Sequence, residues 1–371
     1  MDEPACRACR GRAGHLVLDL GEQPPCDYFP RCDDPGPDPV DPLQMWLCSS
    51  CGLAQLVADP TVPEEPRGTE PAALVAQAAD AVDRVAAAGL LPDGRRVAEY
   101  GSPHGGSWLG LLAQRGLRPV HGGEQAEVVL DCFGLMHAAD QSAALAERTA
   151  RVAPGGVLLL QYHSLGTIIR SGQWNALRHG HYAYYSTAAL VNMLDSHGFR
   201  PRLAWQFPLY GGTVLLSATH ADVGVTDVGF GEPANRVLAE EASAGVRDPD
   251  ALRMLQDSVQ ARAAALHNWL TSERSAGRPV LGYGAASRAV SLLRQARADS
   301  SLLPGVVDAS PAKHGLRMPG TDIPIVSPAE LAARRPDSVL LMLPDLLAEV
   351  RAAFPEVERG GGRWVDAETI G

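Results

Sequence analysis

The chain has 371 residues, of which 46% are hydrophobic and 20% charged, and its formal net charge is −11. Its uninterrupted apolar runs are far shorter than the roughly 20 residues that a membrane-spanning helix needs, and the acidic balance argues against a nucleic-acid-binding surface, which requires a basic face. The first ten residues are charged and lack the apolar core of a signal peptide, which predicts a cytoplasmic protein of two or three domains.

Two C-x-x-C pairs mark the N-terminal segment, and their thiols belong to Cys6, Cys9, Cys48 and Cys51. Four thiolates from two tight turns can close a tetrahedral zinc site, which is structural because no coordination position stays open. Residues 1–60 are proline-rich and show too little apolar periodicity for a core of their own. We therefore predict a zinc-binding module over 1–60, with Cys26 or Cys32 as an alternative fourth ligand.

The next segment, 61–225, alternates strands with helices, which predicts a parallel α/β sheet. A glycine turn, VAEYGSPHGG, joins its first strand to a helix, so backbone N–H groups around Gly101 and Gly105 can approach a cofactor closely. A β–α turn without a ligand is the alternative. The predicted elements are helix Glu70–Gly89, strand Arg96–Tyr100, a helix ending at Leu112, strand Glu127–Leu130, a helix near Ala139–Val152 and strand Gly156–Tyr162.

Two histidines and three tyrosines lie within the nine residues of Arg178–Ser186. An imidazole can act as a general base near neutral pH, and a phenol can donate a proton to a carbonyl oxygen. His179 and His181 alternate along the chain, as a strand or loop would present them. The alternative is an aromatic loop that fills the core.

The last segment, 226–371, begins with a long predicted helix. Asp248 is a good N-cap, Pro249 suits the first helical position, and Gly277 suits the position after the helix ends. A second α/β unit follows, with predicted strands at Val280–Tyr283, Gly305–Asp308, SVLLML and GRWV.

The junction LGYGAASRAV of this unit joins a strand to a helix through glycines. Backbone N–H groups near Gly282 and Gly284, the hydroxyl of Ser287 and the guanidinium of Arg288 are suitable donors to a diphosphate. A turn that binds no phosphate is the alternative.

Taken together and in order, these motifs resemble the three-domain, zinc-containing sugar C-methyltransferases of deoxysugar biosynthesis, the dTDP-sugar C-3 methyltransferases. The likeness runs from CRAC, DLGEQPPCDYF and CSSCGLAQL through VAEYG and LPLYGGTVLL to VLGYGAASRAVSLL, VVDASPAKHG and PGTDIPI. It implies an α/β protein with an N-terminal zinc-binding module, a central Rossmann-like domain of class I methyltransferase type and a C-terminal Rossmann-like domain. A dTDP-linked 4-keto-deoxysugar would lie between the last two.

In the family that the chain resembles, a base removes the proton beside the ketone, and the enediolate attacks the methyl group of S-adenosylmethionine. His181 matches the family histidine. The resemblance implies cofactor binding by Glu99, Gly101, Gly105 and Glu124, with Glu124 on the ribose. It implies substrate binding by Tyr210, Tyr283, Ser287, Arg288 and Lys313.

The departures from the family pattern concentrate around the methyl-donor site. The segment VPEEPRGTEPAAL lacks the family's tyrosine–serine signature, and about thirty residues after Glu124, a helix and an edge strand, are missing. The single-residue departures are Pro103 and His104 for an Asn-Asp pair, Gln161 and Gly180 for acidic residues, and Tyr210 for a histidine.

These losses favour NAD(P)H-dependent reduction of the 4-ketone without methylation as the main hypothesis. The proton donor would be His181, Tyr182, Tyr184 or Tyr185. The alternatives are a sugar C-3 methyltransferase that uses S-adenosylmethionine, a cofactor-independent epimerase or isomerase, and a non-catalytic nucleotide-sugar binder. The expected cofactors are structural zinc and either NADPH or S-adenosylmethionine, or neither of the two; the oligomeric state stays open.

Overall fold

A computed structural model describes residues 4–34, 36–58, 70–91, 94–103, 105–221 and 232–370. The described residues form three sheets of four, six and five strands. Among them, no helix combines the length and the apolar character that crossing a membrane requires.

The first sheet is antiparallel, with the strand order β1-β2-β3-β8. The weak apolar periodicity of residues 1–60 predicts none of the three strands that this segment contributes. Register shifts interrupt the β1–β2 pairing between Leu16 and Leu18 and again between Asp19 and Glu22, and such bulges break the two-residue alternation that identifies a strand in a sequence. The strands are β1 (Gly14–Gln23), β2 (Asp41–Cys48), β3 (Ala54–Leu56) and, far along the chain, β8 (Ala183–Tyr184).

The second sheet has the order β5-β4-β6-β7-β10-β9. Its first four strands are parallel, and β10 runs antiparallel to both of its neighbours. The strands are β4 (Arg96–Gly101), β5 (Arg118–Pro119), β6 (Ala126–Cys132), β7 (Val152–His163), β9 (Phe199–Phe207) and β10 (Thr213–His220).

Six α-helices in the described part of the chain accompany this sheet. Three of them begin at side-chain caps, because Asp140, Ser164 and Ser186 each accept a hydrogen bond from a backbone N–H of the first turn. The helices are α1 (Ala72–Ala87), α2 (Leu109–Gln114), α3 (Gln141–Ala150), α4 (Leu165–Arg170), α5 (Thr187–Asp195) and α6 (Glu232–Ser243).

The edge of the second sheet is short. β5 pairs only with Arg96 and Val97, the first two residues of β4. Within the described residues, the remainder of β4 up to Gly101 has no strand on that side. The predicted lack of an edge strand agrees with this architecture.

The third sheet is entirely parallel, with the order β13-β12-β11-β14-β15. Its strands are β11 (Val280–Tyr283), β12 (Val306–Val307), β13 (Ile325–Val326), β14 (Ser338–Leu341) and β15 (Arg363–Asp366). The helices of this segment are α7 (Pro249–Ser275), α8 (Ser287–Gln295), α9 (Ala329–Arg334), α10 (Leu347–Ala353) and α11 (Glu356–Arg359).

Helix α7 connects the first and third sheets. Its N-cap Asp248 accepts from the N–H of Asp250, as the sequence predicts. The Gln256 side chain accepts from the N–H of Asp19 on β1, at 2.9 Å. The residues that recur at helical spacing are all buried: Leu252, Leu255, Val259, Leu266 and Leu270.

An ion pair buried in the second segment joins Arg148 of α3 to Asp131 of β6, with Nε 2.5 Å from Oδ2 and side chains that are 7% and 1% exposed. Replacing Arg148 by methionine is expected to lower the free energy of unfolding by about 3–5 kcal/mol, because Asp131 then stays buried without its partner. Urea unfolding measures the loss. The matched control is Arg334→Met, which breaks a pair with Glu330 about one third exposed and should cost less than about 0.5 kcal/mol; equal losses would contradict the prediction.

Candidate active site

The four predicted metal ligands converge in the first sheet. The Sγ atoms of Cys6, Cys9, Cys48 and Cys51 all lie within 4.8 Å of one another. Sγ of Cys6 is 3.5 Å from that of Cys51, and Sγ of Cys9 is 3.6 Å from that of Cys48. A tetrahedral zinc with Zn–S bonds of about 2.3 Å requires sulfur separations of about 3.8 Å, so the four thiols fit this metal.

The two other cysteines of the segment lie elsewhere. The Cys26 thiol is directed at the carbonyl of His179, and the Cys32 thiol at the carbonyl of Leu316. Neither thiol belongs to the metal-binding cluster.

Cys6→Ser is expected to abolish a zinc content of about one per chain and to lower the melting temperature, since the cluster ties the segment before β1 to the turn between β2 and β3. Metal analysis of the purified protein and a thermal melt measure both effects. Cys32→Ser is the control, because that thiol is exposed and outside the cluster. Folded wild-type protein without metal would contradict the assignment.

A cavity of about 300 Å³ is lined by segments at the carboxyl ends of strands from the second and third sheets. Its walls come from the glycine turn after β4, the segment before β8, the turn before β10 and the β11–α8 junction. The predicted site residues that line it are Gly105, His181, Tyr184, Tyr210, Tyr283, Ser287, Arg288 and Lys313. The predicted site residues outside this lining are Glu99, Gly101, Glu124 and Tyr182.

The glycine turn presents open backbone to this cavity. Gly105 and Gly106 have φ of 101° and 85°, which favours glycine, and a Cβ on Gly105 would have no atom within 4 Å. The Glu99 carboxylate accepts from Ser107 Oγ at 2.5 Å and from the N–H of Trp108 at 2.6 Å. Glu99 therefore stabilises the turn from outside the cavity lining. His104 lies outside the described residues.

Glu124 lies at the opposite end of the sheet, which corrects its predicted role on a ribose. The cavity adjoins the ends of β4 and β6 at Gly101 and Cys132, whereas Glu124 precedes the first residue of β6. Its carbonyl accepts from Arg151 Nε at 3.1 Å, and the residue is exposed. The short β5 is the cause, because the chain leaves the sheet beside the start of β4.

His181 is a buried imidazole in the cavity wall. Arg178 Nε lies 3.0 Å from its Nε2, and since a guanidinium only donates hydrogen bonds, that ring nitrogen presents its lone pair. The ring of His137 meets the ring of His181 edge-on, with centroids 4.5 Å apart. His179 does not line the cavity; it is buried, with Nε2 3.4 Å from the carbonyl of Pro42.

The tyrosines of this segment support the loop. The Tyr184 hydroxyl accepts from the N–H of Arg178 at 3.0 Å, and Tyr185 donates to the side chain of Gln141. The ring of Tyr182 packs under the guanidinium of Arg7 at 4.8 Å, outside the cavity lining, so its predicted catalytic role is corrected.

The β11–α8 junction supplies a cationic wall. Helix α8 begins at Ser287 without a side-chain cap, which leaves N–H groups for a ligand. Arg288 is buried, and burial followed by the neighbouring charge of Arg178 lowers its pKa to about 10. Within the described residues no carboxylate forms an ion pair with Arg288. A buried cation without such a partner favours an anionic ligand.

Lys313 and Tyr283 complete this wall. Lys313 Nζ donates to the carbonyl of Ala285 at 2.8 Å and lies 4.7 Å from the ring centre of Phe29. Tyr283 packs against Phe354 with ring centres 5.6 Å apart, and burial raises its pKa to about 12.

Two aromatic residues in the wall adopt a left-handed backbone. Phe133 has φ of 58° and Tyr210 has φ of 56°, and their rings meet edge-on at 5.9 Å. The N–H of Tyr210 donates to Asp345 of the third segment at 2.9 Å, and Arg288 lies 5.2 Å from the Tyr210 ring centre. Such backbones cost free energy and concentrate at functional sites.

Sequence patterns did not identify five other residues of the wall: Phe133, His137, His163, Arg178 and Asp345. His163 ends β7, and Phe133 and His137 follow β6. The carboxyl ends of parallel strands are where ligands bind in open α/β sheets, and this signal could have found these three. Asp345 follows the parallel strand β14 and carries the same signal, whereas Arg178 carries none.

Comparisons with known proteins agree with this arrangement. Residues 6–64 match the family model of a zinc binding domain, and residues 208–367 match that of the C-methyltransferase C-terminal domain. The chain is also similar to the C-methyltransferase NovU of Streptomyces niveus, at 24% identity over 400 aligned positions that cover 97% of this chain and 94% of NovU. The chain belongs to the zinc-binding C-methyltransferase family.

Several solved methyltransferase structures are similar to part of this chain. Magnesium protoporphyrin IX methyltransferase (ChlM) of Synechocystis PCC 6803 is 13% identical with a TM-score of 0.31, covering 40% of this chain and 84% of that one. The glycopeptide N-methyltransferase MtfA is 14% identical with a TM-score of 0.28, covering 42% and 93%.

The family membership confirms that this C-methyltransferase family member is an enzyme and overturns the main functional hypothesis. Ketoreduction without methylation is wrong, since the likeness to a C-methyltransferase extends along nearly the whole chain and the family model over 208–367 is that of a C-methyltransferase. The expectation of NADPH depended on that hypothesis and falls with it.

Proposed function

We propose that the protein is an S-adenosylmethionine-dependent C-methyltransferase that alkylates the carbon beside the ketone of a nucleotide-linked sugar, a dTDP-4-keto-deoxysugar. The observation that carries the proposal is the single cavity that brings together the open glycine turn, the lone pair of His181 and the buried cation Arg288. The glycine turn would bind a methyl donor, His181 would act as a base, and Arg288 would bind an anionic nucleotide.

The third segment would bind the diphosphate. Arg288 and the uncapped start of α8 offer charged and backbone donors on one side of the cavity, and both favour phosphate oxygens. Lys313 lies in the same wall. A nucleoside diphosphate held there would direct its sugar towards His181.

The glycine turn would hold the methyl donor. Gly105 leaves room for a ligand against the backbone, and the side of β4 beyond Val97 carries no neighbouring strand in the described part of the chain. The turn therefore leaves space for the methyl donor beside the protein backbone. When bound, S-adenosylmethionine supplies an electrophilic methyl group; the chain's own residues prepare the carbon that receives it.

His181 would act as the base. The residue lies in the cavity wall, and the Nε2 lone pair that accepts from Arg178 would be released to take the proton. Removal of the proton beside the ketone converts that carbon into a nucleophile, and general bases of this kind contribute about 10²- to 10⁴-fold to a rate. The buried environment of the ring excludes water from the carbanion-like carbon.

Product mass tests the proposal. The zinc-loaded protein is incubated with a dTDP-4-keto-2,6-dideoxyhexose and S-adenosylmethionine, and a gain of 14 mass units is expected. Parallel samples without the methyl donor are run in deuterium oxide. If deuterium is taken up but no sample gains 14 mass units, the protein is an epimerase or isomerase and methyl transfer is contradicted. No change in any sample would indicate a protein that only binds the nucleotide-sugar.

A further inference from the structure

Arg178 stands between the base and the anion-binding wall. Its Nε donates to Nε2 of His181 at 3.0 Å, and its Nη1 donates to the hydroxyl of Ser287 at the start of α8. Among the described residues, Nη2 donates to no protein atom and no carboxylate forms an ion pair with the guanidinium. One face of a guanidinium beside the base is thus available to a ligand.

The backbone of Arg178 is fixed. Its N–H donates to the hydroxyl of Tyr184 at 3.0 Å, and that hydroxyl lies 3.4 Å from the carbonyl of Arg178. Tyr184 itself is buried, with 2% of its surface exposed. A group held in this way loses little conformational freedom when it binds a charged atom, which is the condition for electrostatic stabilisation of a transition state.

Two cations face one cavity. Arg178 and Arg288 are close enough for the charge of Arg178 to disfavour the charged form of Arg288. A diphosphate bound to Ser287 and Arg288 would neutralise one of these two charges. The other lies beside the base, where proton removal from a carbon next to a ketone places a negative charge on the ketone oxygen.

We propose that Arg178 is a catalytic residue that donates from Nη2 to the oxygen anion formed when His181 removes the proton. This rests on the proposed function. In the step, Nε2 of His181 exchanges the hydrogen bond from Arg178 Nε for the proton, the C–H electron pair becomes a carbon–carbon double bond, and the carbonyl π pair moves to the oxygen. Charge is conserved, since one cation and one anion form together beside Arg178.

Deuterium uptake tests Arg178 separately from methyl transfer. The dTDP-4-keto-2,6-dideoxyhexose is incubated in deuterium oxide without a methyl donor, and the exchange rate at saturating substrate is compared among wild type, Arg178→Met and Arg178→Lys. Loss of a donor to an oxygen anion lowers rates by about 10²- to 10³-fold, which is expected for Arg178→Met, with partial recovery in Arg178→Lys. Calorimetry with dTDP alone should show affinity changed less than about 3-fold.

Arg288→Met and Arg294→Met provide the comparison. Arg288→Met should weaken dTDP binding while retaining exchange at saturation, and Arg294→Met, on the exposed side of α8, should resemble wild type. If Arg178→Met weakens dTDP binding as Arg288→Met does and leaves saturated exchange unchanged, Arg178 is a diphosphate ligand and the proposal is overturned. Absence of exchange in wild type that binds the substrate also overturns it. Exchange without methylation refutes only the methyltransferase proposal.

Discussion

Replacing His181 by asparagine is expected to lower methyl transfer about 10²- to 10⁴-fold, because asparagine keeps a polar side chain in the wall but cannot accept a proton near neutral pH. The loss should appear in kcat, while the affinity for dTDP, which depends on the opposite wall, stays within about 3-fold. Initial rates with a dTDP-4-keto-deoxysugar and calorimetry with dTDP measure the two quantities.

His179→Asn is the matched control. His179 is two residues away and also buried, but it contacts the carbonyl of Pro42 outside the cavity. Its replacement should lower the melting temperature more than the rate per folded molecule. If His179→Asn removes activity and His181→Asn does not, the wrong histidine has been assigned as the base.

Arg288→Met is expected to weaken dTDP binding about 30- to 150-fold. The loss corresponds to about 2–3 kcal/mol, the contribution of a hydrogen bond to a charged group that is lost in a buried site. Under the proposed function the methyl donor occupies the other wall, so its affinity should be retained. Titration calorimetry of each ligand alone separates these effects.

The control lies on the same helix. Arg294 is exposed, and its Nη1 contacts only the carbonyl of Gly320 among the described residues. Arg294→Met removes an equal charge from α8 and should leave dTDP affinity within about 2-fold, since an exposed charge is screened by solvent. Equal weakening by both substitutions would mean that net charge, and not the cavity, determines binding.

The parts of the fold that depend on local signals could be predicted from the sequence. Helix α7 follows from its cap at Asp248 and its apolar spacing, and β11 follows from a short apolar run before a glycine turn. β1 was missed because its bulges disrupt the alternation, and β8 because a two-residue strand has no pattern at all. Sheet order depends on pairings between residues far apart in sequence.

For the candidate site, too, only the parts that depend on local motifs could be predicted from the sequence. The metal ligands and the β11–α8 junction have compact motifs, so the sequence identifies them. Glu124 was misplaced because its position depends on how far β5 pairs along β4, which no local pattern reports. Arg178 was missed because its contact with Ser287 spans 109 positions.

The error about ketoreduction has a related cause. It was inferred from residues that are absent, namely the edge strand and the Asn-Asp pair of the turn. The turn nevertheless keeps both Gly105 and Gly106 in the cavity lining, with open space beside Gly105. Loss of familiar contacts shows that a ligand is held differently, and it does not identify another reaction.

The fourth strand of the first sheet, β8, determines when that sheet can be completed during synthesis of the chain. β8 comes from residues 183 and 184, about 130 positions after β3, and pairs with Ala54 and Gln55. The N-terminal module therefore leaves the ribosome with an unpaired strand edge and cannot complete its sheet until half of the chain has been made. Contacts of such sequence separation slow folding. Because the metal-binding cluster is formed wholly from the first 51 residues, it can stabilise this module until β8 has been synthesised.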